Sequence, residues 1–146
     1  MPIAELDAIR ICYEEQGRGD PVLFLHHYFG TLTAWAAQRG PFSRHYRVIL
    51  PDARGHGRTL FPAGRLRLTD LANDVSQFIR HLDIGPAHVV GSSLGAMSGL
   101  LLARLEPELC RTLTVVGTPH LTEPASLAYM DRVVNEIFPA RSTASI

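Results

Sequence analysis

Cysteine is scarce in this chain: Cys12 and Cys110 are the two among 146 residues. That excludes a framework of several disulfides, and neither has metal-ligand spacing around it, so both read as ordinary reduced thiols. Net charge is missing as well. Fourteen basic side chains balance 14 acidic ones, and without a basic run neither nucleic acid nor an anionic membrane is an expected partner. No apolar run reaches membrane-spanning length. The opening Met1-Pro2-Ile3-Ala4-Glu5 lacks the basic and apolar regions of a signal peptide, so the cytoplasm is the expected compartment. No internal repeat or linker-like stretch marks a second domain. What remains is the composition of one ordinary domain with a real core, 46% apolar and 19% charged.

Taken in order, strand-like and helix-like stretches alternate. Ile9, Ile11 and Tyr13 alternate with Arg10, Cys12 and Glu14, so residues 3–15 read as a hairpin. Gly17 to Pro21 is a turn. Val22 to Leu25 is a continuous apolar run, as expected of a strand buried on both faces. A short helix is expected over Thr33 to Gln38 and a strand over Tyr46 to Leu50. Thr69 reads as a helix N-cap, and Leu71, Val75, Phe78, Ile79 and Leu82 then recur on one helical face. Gly85-Pro86 stops that helix. Leu113 to Val116 is a sixth strand, and Ser126 to Ile137 has a weak helical period. Such alternation implies a mostly parallel sheet with helices on both faces.

Three loops carry the polar chemistry, each just after a strand. They are His26-His27-Tyr28-Phe29-Gly30, Asp52-Ala53-Arg54-Gly55-His56-Gly57, and Gly91-Ser92-Ser93-Leu94-Gly95. The last joins the apolar run Ala87 to Val90 to a helical stretch, Leu94 to Glu106. A serine between two glycines at a strand-to-helix turn is a nucleophile elbow: the bend is tight, the serine is strained, and its hydroxyl projects at a helix N-terminus. In the second loop, Asp52 and Arg54 are expected to pair or to bond the backbone, and His56 to shape the loop. His26, at the end of a buried strand, reads as loop packing.

The ordered set of three resembles the α/β-hydrolase fold superfamily, from about Ile3 to about Pro119. The resemblance implies a largely parallel sheet, here about six strands, with the site at the strands' C-terminal ends. It implies a serine hydrolase with Ser93 as nucleophile, without a metal or other cofactor, acting on a small molecule such as an ester, lactone or thioester. It places one oxyanion donor on the backbone N–H of Leu94. The other falls on Tyr28, with Phe29 as second candidate, because His27 stands where the family carries glycine. A serine at the elbow argues against the related branches that use an aspartate nucleophile. His26 and His120 are the candidate pocket-lining side chains.

The same resemblance implies a catalytic acid and a histidine beyond the elbow, after the seventh and eighth strands. His120 is the one histidine after Ser93, and the acids there are Glu106, Glu108, Glu123, Asp131 and Glu136. The expected layout is a core over 1–122, then the start of a cap, carrying Tyr129 and Met130, and a frayed end over 123–146. On this reading the chain stops before the family's acid and histidine positions. The alternative function is therefore a non-catalytic fragment, or a subunit completed by a second chain. An open sixth strand adds the expectation of self-association.

Overall fold

In this computed structural model, residues 1–60 and 66–118 are described, together with helical positions 128 and 132. The remaining expectations for 119–146, His120 included, lie outside the described residues. Six strands form one sheet: β1 (Ile3–Glu5), β2 (Arg10–Gln16), β3 (Pro21–Leu25), β4 (Arg47–Pro51), β5 (Ala87–Ser92) and β6 (Cys110–Val116). Their order is β1-β2-β4-β3-β5-β6. The first two pairings are antiparallel, and β4, β3, β5 and β6 run parallel.

The two faces of the central strands can be read from residue parity, because successive strand side chains point opposite ways. Leu23, Leu25, Ile49 and Val89 pack on one face against Phe78 and Ile79 of α2 (Leu68–His81) and Leu102 of α3 (Leu94–Leu105). Val22, Phe24, Val48 and Leu50 pack on the other face with Leu32 and Trp35. There the Phe24 ring lies 5.1 Å from Trp35 and 5.3 Å from Phe42 of α1 (Ala36–Phe42). The expected short helix is thus a 3-10 turn over Leu32–Trp35 followed by α1.

Cys12 is buried. The 52–59 loop folds over it: Thr59 Oγ1 accepts the Cys12 N–H at 2.9 Å, and the Cys12 carbonyl accepts the Asp52 N–H. The cap of α2 is Arg67, not Thr69, because the Asp70 carboxylate reaches back to accept the Arg67 N–H at 3.0 Å. The strand order also fixes where a ligand site belongs. From β3 the chain crosses to one side to make β4, and from β5 to the other side to make β6. The reversal leaves a crevice between the C-terminal ends of β3 and β5.

Candidate active site

Ser93 sits at that crevice, between the last residue of β5 and the first of α3. Its backbone has φ 49° and ψ −109°, a left-handed conformation that side-chain-bearing residues rarely adopt. Holding it costs on the order of 1–3 kcal/mol, so the surroundings must enforce it. They do so at both ends: the Ser93 N–H donates to the Val116 carbonyl at the end of β6, and the Ser93 carbonyl accepts from Met97 in the first turn of α3. The flanking glycines are required by closeness. A Cβ on Gly91 would lie 2.4 Å from the Gly95 carbonyl oxygen, and one on Gly95 would lie 2.3 Å from that of Leu25. The helix start therefore rides directly on the ends of β5 and β3. Ser93 is half-buried, and among the described residues no group hydrogen-bonds its hydroxyl.

The loop after β3 faces the elbow. Tyr28 is buried in one apolar cluster with Leu94 and Met97 from α3 and with Leu66 and Leu71. Leu94, one candidate donor, is thus packed against the residue carrying the other. Phe29, the second candidate there, is 73% exposed. His26 is buried, and both ring nitrogens are engaged. Nδ1 lies 2.8 Å from the His27 carbonyl, and Nε2 accepts the Ala53 N–H at 3.0 Å. That set fits one form of the ring, neutral and protonated at Nδ1. Burial drives the His26 pKa down to about 4, the neighbouring His56 and His27 push the same way, and the His27 carbonyl and Asp52 oppose. His26 lines a cavity of about 30 Å³ shared with Asp52, Leu94 and Gly95.

The loop after β4 completes the rim. Asp52 and Arg54 do not pair with each other. One Asp52 oxygen accepts the Leu32 N–H at 2.7 Å and the other the Arg58 N–H at 3.1 Å. Arg54 grips Asp74 of α2 with two bonds of 2.5 Å. Pairing with Asp74 raises the Arg54 pKa; burial raises that of Asp74 against the opposing pull of Arg54. His56 reaches back to the first loop, with Nε2 2.7 Å from the Tyr28 carbonyl and Nδ1 3.0 Å from that of Arg54. These contacts leave His26 and His56 turned to backbone carbonyls and amides, not toward the Ser93 hydroxyl.

Of the acids after Ser93, Glu106 and Glu108 lie beyond the C-terminus of α3, at the end of the sheet opposite Ser93 and just before β6. Both bind Arg80 there. Their topology removes them as partners of Ser93. Glu123, Asp131, Glu136 and His120 lie outside the described residues. Among the described residues no group of three or more His, Cys, Asp or Glu is placed to hold a metal, and no helix is long and apolar enough to cross a membrane.

A family model described as alpha/beta hydrolase fold matches residues 20–143. The chain is 31% identical over 121 residues to (E)-2-((N-methylformamido)methylene)succinate hydrolase of Acinetobacter baylyi, covering 82% of this chain and 46% of that protein. It is 35% identical over 112 residues to 3-oxoadipate enol-lactonase 2 of the same organism, covering 75% of this chain and 42% of that one. The crystal structure of a hydrolase from Pseudomonas aeruginosa PA01 superposes with a TM-score of 0.80 at 30% identity, over 90% of this chain and 51% of that one. The chain spans about half the length of the relatives it matches.

Proposed function

From the premise that this chain belongs to the alpha/beta hydrolase family, we propose that it is the nucleophile-bearing half of a serine hydrolase. Ser93 Oγ attacks the carbonyl carbon of an ester-like small molecule, an ester, lactone or thioester. The C–O or C–S bond to the leaving group breaks, and water later releases the acyl group from Ser93. The developing oxyanion is held by the N–H groups of Leu94 and Tyr28, worth a few kcal/mol of barrier each. The N-terminus of α3 adds favourable potential at the same place.

One observation carries this reading: a serine held at φ 49° at the β5–α3 junction, in the crevice where the strand order reverses. Strain of that kind is retained where the fold over-determines it, and such positions cluster at active sites. An unactivated serine is a poor nucleophile, so its proton must pass to a base. No described histidine bonds Ser93; the alternative reading, a non-catalytic fragment or a subunit completed by a second chain, predicts a folded chain whose Ser93 does not react. The enol-lactonase among the relatives makes a lactone the first substrate class to try.

The test is covalent labelling. The folded 146-residue chain is treated with a fluorophosphonate and followed by intact mass, beside Ser93→Ala. Labelling lost in Ser93→Ala supports the reading. A folded chain that does not react, or reacts equally without Ser93, overturns it.

A further inference from the structure

The loop after β3 holds two peptide units that could turn an N–H toward an oxyanion at Ser93. One joins His27 to Tyr28 and carries the Tyr28 N–H; the next carries the Phe29 N–H. Each is gripped by its carbonyl from a different histidine. His26 Nδ1 lies 2.8 Å from the His27 oxygen, which also accepts the Gly30 N–H at 2.9 Å. His56 Nε2 lies 2.7 Å from the Tyr28 oxygen. Both units are trans, so the N–H of each points opposite its gripped carbonyl. The two imidazoles stand edge to face with centroids 4.9 Å apart.

We infer that His26 and His56 are positioning residues that together set the two adjacent candidate oxyanion peptides, His26 orienting the Tyr28 N–H and His56 holding the next peptide, that of the Phe29 N–H, in place beside it. This rests on the serine reading above. The clamp explains how the loop keeps its shape with His27 where the family resemblance implies glycine. Conformational freedom at residue 27 is replaced by two fixed carbonyls. It also explains why both rings are buried in a polar loop. Neither touches substrate; each acts through a peptide. His26 must donate from Nδ1, because Nε2 is already occupied by the Ala53 N–H. His56 faces two carbonyl oxygens, those of Tyr28 and Arg54, and the clamp requires its proton on Nε2, toward Tyr28.

The required atoms differ, and that makes the test specific. An asparagine amide nitrogen falls near Nδ1 of the histidine it replaces, and a glutamine amide nitrogen near Nε2. Four variants are compared for the rate of Ser93 phosphonylation by a fluorophosphonate, each with its melting curve. His26→Asn and His56→Gln are expected to react within about threefold of the parent, while His26→Gln and His56→Asn react about tenfold to a hundredfold more slowly. Equal rates within each pair overturn the clamp and leave the serine reading standing. A folded parent that is not labelled at Ser93 overturns the serine reading, and the clamp with it. A check on the parent needs no variant: imidazole 15N shifts near neutral pH are expected to show His26 protonated at Nδ1 alone. A His26 ring protonated at Nε2 overturns the clamp.

Discussion

At the scale of single residues, His26 makes stability depend on pH in a defined window. In the unfolded chain it titrates near 6.5; in the fold burial holds it neutral down to about 4. Between those values the unfolded state binds the extra proton, so stability falls as pH falls. The contribution is fully present above 6.5 and fully lost below about 4. A shift of this size corresponds to about 3 kcal/mol. The groups that bear on the ring are His56, His27 and Asp52. The expected outcome is a melting temperature that drops from pH 6.5 to pH 4 in the parent and drops less in His26→Asn. Parallel curves would mean that the ring charges without penalty. Ser93 and its glycines were legible in the sequence because the elbow is a local device, complete within five residues. The work of His26 and His56 was not. Their partners Ala53 and Tyr28 stand 27 and 28 residues away in the chain, and only the strand order brings those loops together.

At the scale of elements, one ion pair ties the loop after β4 to α2. The Arg54 and Asp74 side chains are 11% and 6% exposed. A buried charge is tolerable only with its partner, and stripping one side leaves the other unpaired. Asp74→Ala is therefore expected to cost about 3–5 kcal/mol in a denaturant melt, and Arg54→Met with Asp74→Leu together much less than Asp74→Ala alone. Additive losses would show that the two side chains act independently. The sequence placed the helix well: Phe78 and Ile79 of its stripe pack on the sheet, and Leu71 packs in the cluster with Tyr28, Leu94 and Met97. It missed the cap because Thr69 is the usual capping type, whereas Asp70 caps from three residues inside through the Arg67 amide. The alternation around Cys12 likewise reports one covered face, and here a loop covers the second.

At the scale of the whole molecule, the sheet is unevenly dressed. β3 and β4 are buried on both faces, by α2 and α3 on one side and by α1 with its preceding turn on the other. Toward β6 the second cover ends among the described residues. Thr112, Thr114 and Val116 lie on the face away from α3, and Val116 is 48% exposed. Among the described residues β6 pairs with β5 alone, so its outer edge presents backbone N–H and C=O groups in a row. An edge of this kind recruits another strand, and β-branched residues on it strengthen the pairing. The 146-residue chain is therefore expected to self-associate, with a sedimentation coefficient that rises with protein concentration. Val116→Lys should shift it toward monomer, because a charge on an edge strand must be desolvated when a second strand pairs there. The substitution leaves the Val116 carbonyl free to keep its bond to the Ser93 N–H, so fluorophosphonate labelling at Ser93 should survive. A single sharp boundary of monomer mass at every concentration would show instead that the edge is already protected.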